Sequence, residues 1–569
     1  MIIGGKIFLK LMRKIITKKY FWYGAIFLLA LFVRLFRLDE IPYGFHIDEV
    51  KAGWNAYSIL KTGMDDKGNM FPLYYDSFGD FRPTGLLYLI IPFLMVFGKT
   101  IFAVRLPFAL IGSLTMFPIV FVLKELNKKN IALGIMASIF LALNPWHIIA
   151  SRSSSESVIS IFFSLWGTYF LFKSFRQKDY KNVVYSVVFF VLSYFFYHSI
   201  RILAPAFVLA IILTKRCCLR EKVFYFQPMI IFLILLVTTL LFMSGKEARG
   251  RMSQVSLKSD FKVLYEVTKM PVEEGPGHVF RARVFHNRVA SYMRRFMEEY
   301  KEYFGTSFLL GETAKPIRYT VPYVGLLTYF EFLLLFLGLF WVSKKKEMLI
   351  VLALLVLAPV PAAVTIEDTP NLQRAIYMIP FLMMIMAYGG YGLFKLPKRL
   401  RWFLPLFGLG YLFNFIYFWH MYFVHQKMGL ASYYRNGGNV ELVKRLDEVK
   451  NNYKEIVLTN SPDDLYPWIG FLGKYEPSGF NRSLISSEEE RKFQNFVFST
   501  NKCPLNSALG KNIEGWENVL FVDAEGCVVE EKFKSLVEVE TIETIYRPDG
   551  SPPYYLRTIE LLTKAGDQK

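Results

Sequence analysis

Long apolar runs separated by short basic clusters fill the first 424 residues of the chain. A helix needs about twenty mostly apolar residues to cross a bilayer, and most of these runs reach or approach that length. The runs lie at residues 21–38, 102–123, 131–150, 157–174, 183–200, 202–214, 225–243, 322–342, 347–365, 372–394 and 402–424. This pattern predicts a polytopic α-helical membrane protein with about eleven transmembrane helices.

One further apolar run, at residues 85–98, is too short to cross a bilayer. Counting it as a span would turn every later basic cluster outward, although Lys and Arg favour the cytoplasmic side. These clusters lie at 124–129, 173–181, 215–222, 344–346 and 395–401. We therefore interpret 85–98 as an interfacial or re-entrant helix within the first external loop, with the basic N-terminus in the cytoplasm. This topology places four segments outside the membrane, at 39–101, 151–156, 244–321 and 425–569.

The tail after residue 424 has a different pattern. Glu455–Thr459 and Asn518–Val522 are short apolar runs typical of buried strands, and Val440–Val449 has the spacing of an amphipathic helix. Two domains are therefore expected: a transmembrane module at 1–424, with external loops 39–101 and 244–321, and an extracytoplasmic α/β domain at 425–569. Cys503 and Cys527 lie in this tail, where oxidising conditions would allow them to pair.

Composition narrows the class of protein. Of the 569 residues, 53% are hydrophobic and 17% aromatic, which excludes an ordinary soluble protein. The formal net charge of +20 could suggest nucleic-acid binding. The basic residues, however, fall between apolar runs, as positive-inside loops do, so no nucleic-acid partner is expected. The sequence contains no P-loop, dinucleotide fingerprint or zinc spacing.

An acidic pair follows the first predicted span. Asp48 and Glu49 stand two and three positions after His46 and begin a helical pattern that places Val50 and Tyr57 on one face. Two interpretations stay open. Asp48 is either a capping carboxylate at a helix N-terminus, or a general base for chemistry at the membrane surface.

Several arginines fall where the predicted topology leaves few positive charges. Each alone is typical of an anchor that reaches to the membrane surface. Together, from different spans, they could converge on a phosphate group. They are Arg82 before Pro83, Arg105 in Val104–Pro107, Arg152 in Ser151–Ser153, Arg201 after His198, and Arg374 before the tenth predicted span.

The order of these motifs resembles the glycosyltransferase C superfamily. An acidic pair in the first loop is followed by a basic-Pro pair, then by Phe102–Pro107 and by Asn144–Arg152 at the end of the third predicted span. The closest resemblance is to bacterial family 39 proteins, relatives of protein O-mannosyltransferases and of lipid A aminoarabinose transferases. It covers roughly residues 21–400, including Arg281–Phe304 in the long external loop, and it does not extend to the tail.

The resemblance implies a mechanism and a set of site residues. Asp48 matches the catalytic aspartate, which would accept the proton of the acceptor hydroxyl. Glu49 would position the acceptor, and His46 and Tyr57 are further substrate-binding candidates. Arg82 replaces the Lys or other polar residue that relatives carry before Pro, and it would stabilise the phosphate of the donor. The remaining phosphate candidates are Arg374 and, more weakly, Arg105 and Arg152.

The resemblance also implies the substrates. Relatives transfer a sugar, with inversion, from a polyprenyl phosphate to an acceptor hydroxyl on the outer side of the membrane. We expect a hexose such as mannose, or a pentose, as the sugar, and a protein, a glycolipid or a cell-wall polymer as the acceptor. We also expect membrane lipid as a partner, because the protein would lie in the cell membrane.

Neither a metal nor another cofactor is expected. Metal-dependent members of the superfamily carry an Asp-x-Asp after the third span, whereas this chain has Ser151 to Glu156 there. Glu156 alone would make a poor site, because a divalent cation prefers several oxygen ligands.

Two alternatives come from other classes of protein. A transporter or flippase would have discontinuous helices and charges near the middle of the membrane. A structural membrane module would use the tail to bind a partner and the carboxylates as surface caps. In that last case, replacing Asp48 by Asn would leave both fold and activity unchanged.

Overall fold

The computed structural model describes residues 19–77, 79–127, 130–177, 179–219, 225–245, 256–257, 260–459, 464–485, 491–512 and 515–562. The basic N-terminus used for orientation lies almost entirely outside these residues. Contacts divide the chain into two compact units. The membrane unit is Met1–Leu38, Phe78–Leu86 and Arg105–Phe423. The tail unit is Asp39–Ser77, Leu87–Val104 and Val424–Lys569.

Among its described residues, the membrane unit is built of helices apart from the short strand β2 (Asp80–Pro83). Two further helices, Gly85–Phe97 and Ile101–Leu114, cross from the sequence range of one unit into that of the other. The helices of the membrane unit are Lys19–Leu35, Met116–Leu126, Ile131–Leu143, Pro145–Arg152, Glu156–Ser174, Tyr180–Tyr194, Ser199–Leu213, Phe226–Ser244, Phe261–Thr268, Met270–Glu273, Val279–Phe285, Arg288–Glu302, Thr306–Leu309, Tyr329–Val342, Leu349–Leu357, Val360–Ala363, Met378–Phe394 and Phe403–His420.

Several of these helices are suited to a bilayer. Among the described residues, four are long and apolar enough to cross it, and they coincide with predicted spans: Ile101–Leu126, Glu156–Ser174, Phe226–Ser244 and Lys346–Ala363. Shorter apolar helices accompany them at Phe21–Leu35, Gly85–Phe97, Tyr329–Val342 and Met378–Phe394. The prediction of a polytopic helical membrane protein is therefore confirmed, whereas the count of about eleven spans stays a prediction.

The third predicted span is bent. Its two helices, Ile131–Leu143 and Pro145–Arg152, meet at an angle of 56°. The break falls at Asn144 because Pro145 has no N–H to continue the first helix, and because the Asn144 side chain accepts a hydrogen bond from the His147 amide. The predicted run of 131–150 is therefore two helices with a capped junction.

Close approach of two helices holds part of the membrane unit together. Tyr329–Val342 packs against Met378–Phe394 through glycines on both sides. A Cβ atom added at Gly338 would lie 2.1 Å from the Ile385 carbonyl oxygen, and one at Gly389 would lie 2.1 Å from the Leu334 carbonyl oxygen. Small residues of this kind let the backbones of membrane helices touch.

The tail unit contains a mixed sheet. The strands of the tail unit are β1 (Tyr74–Ser77), β3 (Glu455–Thr459), β4 (Arg491–Phe493), β5 (Phe496–Ser499), β6 (Val519–Ala524), β7 (Val537–Ile545) and β8 (Tyr554–Leu561), and all but β1 belong to this sheet. The six-stranded sheet has the order β4-β5-β3-β6-β8-β7, in which β3 runs parallel to β5 and β6 and the other pairs are antiparallel. The accompanying helices are Ile47–Thr62, Leu430–Tyr433, Asn439–Val449, Tyr466–Leu472, Pro477–Ile485, Pro504–Lys511 and Glu531–Lys534.

The elements predicted in the tail are close to those observed, because β3, β6 and the helix Asn439–Val449 differ from the predicted bounds by at most two residues. The contacts group this sheet with Asp39–Ser77 and Leu87–Val104. The division of the chain into domains 1–424 and 425–569 therefore stays a prediction.

One end of the sheet is fixed by a buried charge and a disulfide. Asp523 accepts hydrogen bonds from Arg557 at 2.8 Å and from the Leu505 amide at 3.1 Å, where the helix Pro504–Lys511 begins. Burial raises the pKa of Asp523, and these bonds oppose the rise. Cys503 and Cys527 form a disulfide beside them.

The helix contact at Gly389 gives a first test. Gly389→Ala should lower the free energy of unfolding by about 1–3 kcal/mol, because the new methyl group overlaps a backbone oxygen of the neighbouring helix. Gly408→Ala is the matched control, since no atom lies within 4 Å of its added Cβ. It should be neutral or stabilising by up to about 1 kcal/mol. Thermal unfolding in detergent measures both, and equal stability of the two variants would contradict the packing argument.

Candidate active site

The acidic pair lies at the start of the aspartate helix (Ile47–Thr62), as the sequence predicts. His46 caps this helix: its Nδ1 accepts the Asp48 amide at 3.1 Å, while the Glu49 carboxylate accepts the His46 amide at 3.2 Å. The Asp48 side chain is 22% exposed, and one of its oxygens lies 3.5 Å from His46 Nδ1. Asp48 therefore sits in the first turn, where the helix dipole favours an anion, and solvent reaches its carboxylate.

Glu49 has different surroundings from Asp48. It is buried and forms an ion pair with Arg435, which is buried as well. A carboxylate held in this way has little capacity left for a mobile acceptor. The geometry therefore favours a positioning role for Glu49 over direct contact with substrate.

Tyr57 lies at the other end of the aspartate helix. It stands nine positions after Asp48, which corresponds to about 13 Å along the helix axis. Its hydroxyl donates to Glu476 at 3.1 Å, and the Lys99 ammonium lies 4.9 Å from the ring centre. Burial, together with Glu476, raises the pKa of Tyr57. The structure thus brings His46 to Asp48 but does not bring Tyr57 there.

Two of the predicted phosphate ligands belong to the membrane unit and are partly exposed. Arg82 donates from Nε to Asp80 at 3.0 Å. Arg374 donates at 2.8 Å both to the Thr365 hydroxyl and to the Glu367 carbonyl, and it pairs with the Glu367 carboxylate. Each guanidinium is therefore fixed by a neighbouring carboxylate.

These two arginines lie near one tyrosine. Arg82, Arg374, Glu156 and Tyr319 all lie within electrostatic range of the Tyr197 hydroxyl. Arg82 and Arg374, which are almost 300 residues apart in the sequence, therefore share the electrostatic surroundings of one group. Tyr197 was not among the predicted site residues, and its only sequence signal is its place beside His198 at the end of a predicted span.

Further polar residues join this group. Gln373 donates to the Tyr319 hydroxyl at 2.6 Å and to the Ser155 hydroxyl at 3.2 Å, and its own carbonyl oxygen accepts from Arg318 at 3.4 Å. Sequence reasoning missed Arg318, Tyr319 and Gln373, because only their polar character beside apolar runs marks them. We call the whole set the arginine cluster: Arg82, Glu156, Tyr197, Arg318, Tyr319, Gln373 and Arg374.

Arg105 and Arg152 have structural surroundings. Arg105 is fully buried and donates to the Leu38 carbonyl at 3.1 Å. Arg152, also fully buried, donates to four carbonyls at the end of the helix Lys19–Leu35, at 2.8–3.3 Å: those of Val33, Arg34, Phe36 and Arg37. The last carbonyls of a helix have no partner within it, and a cation there also complements the helix dipole. The geometry favours the anchor interpretation for both residues.

The described residues include no group of three His, Cys, Asp or Glu side chains arranged to hold a metal ion. A reaction without a metal stays a prediction.

The apolar helices define an integral membrane protein. It carries two sets of polar residues suited to chemistry, a solvent-accessible carboxylate in one unit and the arginine cluster in the other. Residues 82–242 match the family described as dolichyl-phosphate-mannose-protein mannosyltransferase. The resemblance to family 39 of the glycosyltransferase C superfamily is thereby confirmed for this segment. The matched segment contains Arg82, Arg105 and Arg152 and excludes Asp48 and Arg374.

Solved structures offer two comparisons. ArnT from Cupriavidus metallidurans bound to undecaprenyl phosphate has 12% identity and a TM-score of 0.49, and the match covers 96% of this chain and 98% of that one. The archaeal oligosaccharyltransferase AglB from Archaeoglobus fulgidus, in complex with an inhibitory peptide and a dolichol-phosphate, has 11% identity and a TM-score of 0.46. That match covers 80% of this chain but only 64% of AglB. No curated protein matches the chain.

Arg152 allows the anchor and ligand interpretations to be separated. Arg152→Met should lower the free energy of unfolding by roughly 3 kcal/mol, because it leaves several buried carbonyls without a donor. The exposed Arg399 provides a control, and Arg399→Met should change stability by less than about 0.5 kcal/mol. Unfolding in detergent and binding of a lipid phosphate are measured on the same samples. Unchanged stability with lost lipid-phosphate binding would restore Arg152 as a ligand.

Proposed function

We propose that this protein is a membrane glycosyltransferase that moves a sugar, a hexose such as mannose, from a polyprenyl phosphate to an acceptor hydroxyl with inversion. The observation that carries the proposal is the family match over residues 82–242. The position of Asp48 in the first turn of the aspartate helix and the arginine cluster support it independently.

Asp48 is the proposed general base. As the acceptor oxygen attacks C1 of the sugar, its proton passes to the Asp48 carboxylate, and the bond between C1 and the phosphate oxygen breaks. A single displacement of this kind inverts the anomeric centre, as in inverting glycosidases, with the acceptor in place of water. The leaving group is a phosphate ester that departs as an anion, so the reaction requires no general acid.

Arg82 and Arg374 are the proposed phosphate ligands. Negative charge builds up on the phosphate oxygens as the bond to C1 breaks, and preorganised cations stabilise that charge. A guanidinium suits this role because its planar donors match two phosphate oxygens at once. Arg318 lies in the same cluster through Gln373 and adds a third positive charge.

The finer features of the proposal concern topology and substrates. We propose that the N-terminus is cytoplasmic, that the chain has about eleven spans, and that residues 425–569 form an α/β domain on the outer side of the membrane. The acceptor is a protein, a glycolipid or a cell-wall polymer, and no metal or other cofactor takes part. Polyprenyl-phosphate sugar and membrane lipid complete the set of partners.

Asp48→Asn gives the first test of this function. The variant should lose about 10²–10⁴-fold in kcat, because the amide cannot accept the acceptor proton. Purified protein in lipid is incubated with a panel of polyprenyl-phosphate sugars and a membrane extract, and release of polyprenyl phosphate is measured. Asp549→Asn, at an exposed position of the tail, should retain wild-type turnover.

The outcomes of this test distinguish the candidate functions. Equal turnover by wild type and Asp48→Asn would remove Asp48 as the base. Movement of the intact lipid across a bilayer without release of the phosphate would favour the transporter alternative. Absence of both turnover and donor binding would favour the structural module.

The arginine cluster gives a second test. Arg82→Gln and Arg374→Gln should each reduce kcat by about 10²-fold, because each removes a charge that stabilises the leaving phosphate. Arg176→Gln is the control, since Arg176 also pairs with a carboxylate, that of Glu125, outside the cluster. Single-turnover rates with a lipid-phosphate sugar provide the measurement. Wild-type rates for both cluster variants would exclude the phosphate role.

A further inference from the structure

The loop before the aspartate helix is held by residues of the tail, nearly 400 positions later in the chain. Gln426 accepts the Tyr43 amide at 3.0 Å, and Arg435 donates from Nε to the Tyr43 carbonyl at 3.3 Å. Asn436 accepts the Ile47 amide at 2.9 Å. The backbone on both sides of His46 is therefore fixed from outside its own segment.

Asn436 completes the cap of the aspartate helix. The first amides of a helix have no partner within it. Here the Ile47 amide donates to Asn436 and the Asp48 amide donates to His46. Two successive orphan amides are thus satisfied, one by a local side chain and one by the tail.

The backbones also meet closely at Gly44. Its φ of +84° belongs to the region that favours glycine, and an added Cβ would lie 2.5 Å from the Arg435 carbonyl oxygen. Only a residue without a side chain allows the loop to approach Arg435 in this way.

Arg435 is the charged part of this contact. It is 1% exposed, and its ion-pair partner Glu49 is 3% exposed. A buried pair of this kind contributes little net stability, but removing one partner leaves an uncompensated charge in the interior. That charge would lie one residue from Asp48. Among the described contacts of Asp48 is a second titratable group, His46, whose Nδ1 lies 3.5 Å from one carboxylate oxygen.

We propose that Arg435 and Asn436 are positioning residues for Asp48, and that Glu49 acts with them instead of contacting the acceptor. This inference rests on the proposed function and assigns the tail a part in it. Arg435 forms an ion pair with Glu49. Asp48 is then the carboxylate at the start of the helix that takes up the proton of the acceptor hydroxyl. Asn436 fixes the backbone that carries this carboxylate.

The pH dependence of turnover separates positioning from simple stabilisation. Arg435→Met leaves the Glu49 charge uncompensated beside Asp48, and a nearby negative charge favours the protonated form of a carboxylate. The acidic limb of kcat against pH should move up by about one pH unit, and kcat at the optimum should fall roughly 10- to 100-fold. A role limited to folding would scale the rate equally at every pH.

A double variant provides the rescue. Glu49→Gln combined with Arg435→Met removes both charges, so the acidic limb should return to its wild-type position even though kcat stays low. Arg557→Met is the matched control, because Arg557 is another largely buried tail arginine whose partner is Asp523. It should change stability without moving the limb. An unshifted limb in Arg435→Met, or an equal shift in Arg557→Met, would overturn the inference.

Hydrogen exchange tests the same contacts without any substrate. Asn436→Ala should speed exchange of the Ile47 amide, whereas Asn495→Ala, which removes a tail hydrogen bond to the Lys450 carbonyl, should not. If the Ile47 amide of Asn436→Ala exchanged as slowly as that of the wild type, the inference would be overturned. If wild-type protein releases no polyprenyl phosphate from any donor, the proposed function fails, and the exchange result still decides whether the tail holds this helix.

Discussion

A polar group inside a bilayer must find its partner within the protein, because lipid offers neither donors nor acceptors. Two buried arginines that contact the first helix follow this constraint. Arg34 donates to the carbonyls of Ala30, Leu141 and Ala142 and to the side chains of Ser151 and His147. Arg152 serves the opposite need, because it donates to carbonyls at the end of the first helix, where the helix itself supplies no donor. Together they join the first helix to the bent pair Ile131–Leu143 and Pro145–Arg152.

Local patterns in the sequence predicted local structure well. The aspartate helix begins where His46 and the acidic pair indicate, since a cap depends on residues three positions apart. β3, β6 and the helix Asn439–Val449 follow from hydrophobic spacing in the same way. Pro145 in the sequence also indicates the bend at Asn144. Hydropathy alone does not show this bend, because the residues around it form a continuous apolar run.

The candidate site was less accessible to sequence reasoning, because its groups depend on partners far away in the chain. Arg152 and Arg82 look alike in a sequence, since each is an arginine at the edge of an apolar run. Arg152 is buried against backbone carbonyls, and Arg82 is partly exposed beside Asp80. Glu49 likewise looks like a second catalytic carboxylate until Arg435 is found against it. Motif order indicated a resemblance that the family match supports over residues 82–242, whereas burial separates residues that hold the structure from those that a substrate could reach.

The tail unit joins segments that are far apart in the sequence and are therefore synthesised at different times. Within it the Trp468 indole donates to the Phe45 carbonyl at 2.9 Å, and the Tyr466 hydroxyl donates to the buried carboxylate of Asp66 at 2.8 Å. Residues 39–77 are synthesised hundreds of residues before these partners, so the loop before the aspartate helix cannot reach its final form during that interval. A nascent chain therefore carries an incomplete loop before the aspartate helix until residues 426–468 are made. Synthesis of these residues becomes the step that completes the loop, which delays its assembly until the preceding membrane helices have been synthesised.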